Sequence, residues 1–296
     1  MKVISIKEPY ATLIKEKKKC IETRSWKTTY RGEIYIHASI SSNLNKLKSD
    51  IKELFDEKQL NHGNIICKCK LVDCIYMTKE FVEDMKQNNY QEYLCGLYEE
   101  GRYAWILKDV EKINPIPAKG QLNIWNYYNE NEILNLMDNI KYGWIDKNNI
   151  THSKINELFK ENYKLQSSTE ILKSKVGVCW DQVELERYYF KPNQNNIKTY
   201  FIMYINDKDN PTHTFLTYEK NNKYYWFEHA WEQYKGIHEY ISQEEMLKDI
   251  KIKFRNKYLE KNTNNNIYLY KYNKPQQKLS VQEFITHCTN STLIEI

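Results

Sequence analysis

Hydrophobic and polar positions repeat with a short period over the first part of the chain and with a mixed one later. Val3-Ile4-Ser5-Ile6 predicts a strand. Pro9 to Lys18 predicts a helix, with proline at its opening and Tyr10, Leu13 and Ile14 on one side. Gly32 to Ala38 alternates as a strand does, and Ile65 to Val72 and Tyr103 to Lys108 predict two more. Between them, Ser42 to Glu57 carries Leu44, Leu47, Ile51 and Leu54 at helical spacing, which predicts a polar helix. Pro115 and Pro117 close this run of elements. The Asn- and Glu-rich stretch Asn126 to Glu132 reads as a linker.

After the linker the pattern is helical first and strand-like second. Ser167-Ser168-Thr169-Glu170 fits a capping box, with Ser167 paired to Glu170 three residues on. A second helix opens at Cys179 and runs to about Phe190. Strands follow at Thr199 to Ile205, Thr212 to Glu219, Lys223 to His229 and Ile267 to Tyr272, with a loop at Asn262 to Asn266. The length suits two domains, with boundaries expected at 1–127 and 133–296.

Composition narrows the class. The 41% hydrophobic content supports buried cores, and a net charge of +5 permits a nucleic-acid partner without arguing for one. No apolar run is long enough for a membrane span, and the start turns polar before a signal core could form. Seven cysteines is an odd number without a regular framework, which favours a reducing compartment and free thiols. The expectation is a soluble, cytoplasmic protein with no membrane partner. Cys67-Lys68-Cys69 with Cys74 and His62 fits no standard zinc spacing, so no metal site is expected.

Candidate chemistry gathers in the second half. Cys179 stands in Gly177-Val178-Cys179-Trp180-Asp181-Gln182, where a glycine turn opens a helix. A thiol in a first helical turn meets the positive end of the dipole, which favours the thiolate, and the same turn offers N–H groups to an oxyanion. Asn221-Asn222 signals a hairpin turn, so that Lys220 faces Lys223 and paired residues sum to 443. His213 and Glu228 then lie on one sheet face as diagonal neighbours, and His229 lies on the other. Taken singly, each of the three reads as structure. In this order they make a nucleophile, its base and the group that orients the base.

These elements resemble the transglutaminase-like fold of papain-type cysteine enzymes. The resemblance spans roughly Tyr142 to Leu247, with its core in Gly177 to Arg187 and Thr212 to Trp231. It implies attack on an amide carbonyl through a thioester, with a protein or peptide amide as substrate and no cofactor. The usual acid in that superfamily is Asp, where this chain has Glu228.

The start of the chain resembles an ASCH domain, a barrel of the PUA-like group. The matching residues are Lys19 to Trp26, Tyr30 to Ala38, Tyr103 to Ile106 and Pro115 to Gly120. The resemblance implies binding of RNA or a modified nucleoside. Lys19, Arg24, Arg31 and Lys119 could meet phosphates, Trp26 and Tyr30 could stack on a base, and Glu22 and Arg24 would share a cleft-facing side. Family members that hydrolyse acetylated cytidine use a Lys and a Thr. Lys19 matches the first, but Glu22 stands in place of the second.

The expected fold is therefore α+β: a small PUA-like β-barrel with inserted helices, then a papain/transglutaminase-like α+β domain. The expected function is a cysteine-dependent amide hydrolase or acyl transferase using Cys179, His213 and Glu228. Lys19, Glu22, Arg24, Trp26 and Arg31 would bind nucleic acid or a nucleotide. Two alternatives remain: a non-catalytic nucleic-acid-binding protein, and an ASCH-type amidohydrolase acting on a modified nucleoside.

Overall fold

A computed structural model describes residues 1–42, 44, 47, 49–193, 195–205, 210–258 and 266–296. The chain forms two compact units, Met1–Tyr127 with Pro192–Gln194, and Tyr128–Lys191 with Asn195–Ile296.

The first unit is built on six strands: β1 (Lys2–Glu8), β2 (Ile21–Arg24), β3 (Gly32–Ser42), β4 (Asn64–Tyr76), β5 (Tyr103–Pro117) and β6 (Ile124–Asn126). They pair in the order β2-β5-β4-β3-β1-β6. β1 runs parallel to β3 and antiparallel to β6. Among the described residues, four α-helices accompany the sheet: α1 (Tyr10–Lys15), α2 (Ser49–Lys52), α3 (Lys79–Asn88) and α4 (Tyr90–Leu94). Ala11 and Ile14 of α1 join Ile4, Ile34, Ile36 and Trp105 in the main core.

Two expectations change here. β2 and β6 end the sheet order without pairing to each other among the described residues, so the hydrogen bonding does not close into a barrel. The register shifts between β4 and β5 bend the sheet, but bending alone supplies no last ladder. The helix expected over Ser42 to Glu57 reduces, among the described residues, to Ser49–Lys52, and Ser42 belongs to β3. Ile51 is the only buried residue of α2, and a helix this short needs more packing to persist.

The second unit begins where a linker was expected. Asn129 caps α5 (Glu130–Met137), its side chain accepting from Glu132 N–H while Glu132 accepts from Asn129 N–H. Short pieces follow: β7 (Lys141–Tyr142), β8 (Trp144–Ile145), β9 (Thr151–His152), α6 (Phe159–Asn162), α7 (Ser168–Ser174) and β10 (Val176–Gly177). The capping box expected at Ser167 and Glu170 opens α7.

The rest is α8 (Cys179–Phe190), β11 (Lys198–Tyr204), β12 (Thr212–Lys220), β13 (Lys223–Glu228), β14 (Gly236–Tyr240), α9 (Gln243–Tyr258), β15 (Ile267–Tyr272), α10 (Val281–Thr289) and β16 (Thr292–Leu293). Of the loop expected at 262–266, positions 262–265 lie outside the described residues.

The six strands β14-β13-β12-β11-β15-β16 form one antiparallel sheet. Alternation decides which helix each face meets. Leu216, Tyr218 and Phe227 pack on Leu185, Tyr189 and Phe190 of α8. Tyr200, Ile202, Phe215 and Trp226 pack on Met246, Leu247, Ile250 and Phe254 of α9. The molecule is thus mixed α+β. No helix among the described residues is long and apolar enough to cross a membrane.

Candidate active site

The loop that presents Cys179 is held by one buried carboxylate. Asp181 accepts from Tyr163 Oη at 2.8 Å, Gln166 N–H at 2.8 Å and Val178 N–H at 3.1 Å. Burial pushes its carboxyl up to about 7, against these three donors, which favour the ionised form. Gly177 is required for the approach: a Cβ there would stand 2.9 Å from Asp181 Cβ. Cys179 therefore enters the first turn of a twelve-residue helix with its backbone fixed on the upstream side.

The hairpin places the other two groups. Lys220 pairs with Lys223 and Leu216 with Phe227, the register read from the turn. Asn221 and Asn222 take φ of 53° and 59°, the left-handed pair that a two-residue hairpin turn needs. His213 Nε2 lies 2.8 Å from Glu228 Oε2, and Glu228 Oε1 accepts from Trp231 N–H at 2.8 Å. The indole of Trp231 also meets the His213 ring edge-on at 5.2 Å between centroids. Burial alone would depress the His213 pKa. The Glu228 charge and hydrogen bonds with Cys179 and Glu228 reverse that and push it up to about 10. Cys179, His213 and Glu228 are thus brought together, with an imidazolium between thiol and carboxylate.

These groups open into a cavity of about 490 Å³ whose walls include Tyr142, Gln182, His229, Trp231, Lys257 and Tyr258. Sequence reasoning did not assign a role to these residues. Gln182 carried the one available signal, standing three residues after Cys179 on the same helix. His229 Nδ1 is 2.7 Å from Gln182 Oε1, and Gln182 Nε2 donates to the Gly177 carbonyl at 2.9 Å. His229 therefore faces α8, opposite to His213 in the strand alternation, and its imidazole orients the amide of Gln182. Burial and the Lys235 charge lower its pKa, the Asp138 carboxylate 3.4 Å from Nε2 opposes them, and Nδ1 is the donor because Gln182 Oε1 only accepts.

In the first unit a cleft of about 1000 Å³ is lined by Glu22 and Arg24 together with Tyr10, His37 and Arg102. Arg24 Nε sits 3.1 Å from Glu22 Oε1, and its Nη2 donates to the Ser5 carbonyl at 2.8 Å. The other expected contacts lie elsewhere. Lys19 is 1% exposed, with its ammonium on the Ile21 carbonyl and 3.8 and 3.7 Å from the carboxylates of Glu22 and Glu92. Buried and doubly paired, it is not placed to meet a phosphate. Trp26 packs edge-on against Trp105 at 4.6 Å, and Arg31 is tied to Asp73 at 3.1 Å. Neither lines the cleft.

Comparison with known proteins distinguishes the two units. The search of curated proteins finds no match. Among solved structures, a tyrosine-to-phenylalanine variant of ZmASCH from Zymomonas mobilis is similar at 17% identity and a TM-score of 0.29, over 46% of this chain and 96% of that one. The family model of the ASCH domain matches residues 4–117, which fall within the first unit. The N-terminal unit of this protein therefore carries an ASCH domain.

Proposed function

We propose that the second unit is a cysteine-dependent amide hydrolase or acyl transferase of transglutaminase-like type, and that the ASCH unit recruits RNA or a nucleoside. One observation carries the first part: the His213 ring bonds Glu228 through Nε2 at 2.8 Å and meets Cys179, which opens α8. Cys179 Sγ attacks the amide carbonyl carbon, and the new oxyanion rests at the helix N-terminus. The His213 imidazolium gives its proton to the leaving nitrogen, the C–N bond breaks, and a thioester remains. Water or an amine, losing its proton to His213, then attacks the thioester and expels the thiolate. Glu228, held by Trp231 N–H, orients the ring and stabilises its charge throughout.

The test is acylation by p-nitrophenyl acetate. The expected result is a burst of p-nitrophenol with a hydroxylamine-labile acetyl group on Cys179. Cys179→Ala should abolish it, and His213→Ala should slow it by about 100-fold or more. Acetylation spread evenly over other thiols would overturn the reading.

For the ASCH unit, the burial of Lys19 favours binding over hydrolysis. A buried ammonium shared by two carboxylates is poorly placed to act on a substrate in the cleft. Glu22 and Arg24 present an acceptor and a donor side by side, a pairing suited to the edge of a nucleobase.

A further inference from the structure

Lys257 stands in the last turn of α9 and lines the same cavity as Cys179 and His213. Its ammonium lies 4.8 Å from the centroid of the Trp231 ring and 5.1 Å from that of Tyr258. Among the described residues, no carboxylate is within ion-pair distance of it. We infer that Lys257 is a specificity-determining residue of this site, and that the acyl group it selects carries a carboxylate close to the reacting carbonyl. The inference rests on Cys179 being the nucleophile.

Charge around the cavity supports the choice. Glu228 spends its two oxygens on His213 and the Trp231 N–H, so it balances the imidazolium and not the lysine. The lowered pKa of His229 favours its neutral ring. Glu232, the remaining charged group of the wall, is exposed to water. Partial burial lowers the Lys257 pKa, and the charges of Cys179 and Glu228 oppose that shift. Lys257 is exposed as a residue, and its ammonium feels the charges of the reacting centre. A substrate carboxylate would supply the counter-charge, while the flat rings of Trp231 and Tyr258 limit where it can sit. A lysine in a last helical turn suits the helix dipole wherever it points. That general preference does not explain why this one is held over two rings at the mouth of the thiol cavity.

Two alkylating agents that differ in charge provide the test. Iodoacetate carries a carboxylate beside its reacting carbon; iodoacetamide is a neutral analogue of similar size. On the full-length protein, the iodoacetate-to-iodoacetamide rate ratio at Cys179 should exceed that of N-acetylcysteine in the same buffer. Lys257→Met keeps the aliphatic stem over the rings and should lower the ratio about tenfold, with the iodoacetamide rate as the denominator that absorbs any change in the thiol itself. Lys257→Arg should retain the preference. His213 is common to all three proteins, so the drop reports Lys257 alone. Normal iodoacetamide labelling with no carboxylate preference in the wild type, or with the preference kept in Lys257→Met, overturns this inference and spares the nucleophile. Failure of iodoacetamide to label Cys179 at all overturns both.

Discussion

Glu228 is held at both oxygens, and that makes its charge consequential. The raised His213 pKa means that folding binds a proton more tightly than the unfolded chain does. Its stabilisation is present in full below about pH 6.5, the ordinary histidine value, and is lost as pH rises toward about 10. The stability difference between wild type and Glu228→Gln, from urea midpoints, should therefore shrink steadily between about pH 7 and pH 10. A difference that stays flat would mean the ring does not ionise in that window. Reactivity is decided at the same scale. Burial raises the thiols of Cys67, Cys69, Cys95 and Cys288, and burial with Glu92 pushes Cys20 up to about 11. Cys179, beside an imidazolium, should be alkylated first at neutral pH, as peptide mapping after brief iodoacetamide treatment would show.

At the scale of elements, the hairpin register carries the site. His213 and Glu228 meet because β12 and β13 turn through two residues that both accept left-handed backbone. Asn222→Val puts a β-branched side chain there and should cost about 1–2 kcal/mol by urea unfolding. Inserting one residue in the turn should do something different. It shifts β13 by one, turns Glu228 to the α8 face and abolishes Cys179 acylation, even in protein that remains folded by circular dichroism. Gly177→Ala strikes the other support. Its Cβ would crowd Asp181, with an expected loss of about 1–3 kcal/mol and slower acylation. The helix start, the capping box and this register were all legible in the sequence. Each is a local matter of turn residues, caps and period two. The helix expected over Ser42 to Glu57 was not realised among the described residues, because helical spacing says nothing of whether a partner surface exists.

For the whole molecule, the two units should be separable in function. Arg24→Met should weaken binding of cytidine or short RNA by about tenfold in calorimetry, since it removes the charged donor that stands beside Glu22 in the cleft. Iodoacetamide labelling of Cys179 should be unaffected. Arg31→Met should leave nucleoside binding unchanged, because Arg31 is spent on Asp73 and lies outside the cleft lining.

What the sequence by itself determined is the part of this protein written in short-range rules. These are the two-part organisation, the ASCH pattern at the start, the helix that opens at Cys179, and a turn that sets His213 and Glu228 on one face. Tertiary structure alone decided which charged side chains are free. Lys19 and Arg31 read as available cations, yet their partners Glu92 and Asp73 lie 73 and 42 residues away along the chain. Lys257 carried no signal in the sequence, yet packing on Trp231 brings it to the thiol cavity. A charge is spent or free according to what folding places within a few ångströms of it, and the Coulomb energy that settles this depends on distance through space, not on separation along the chain.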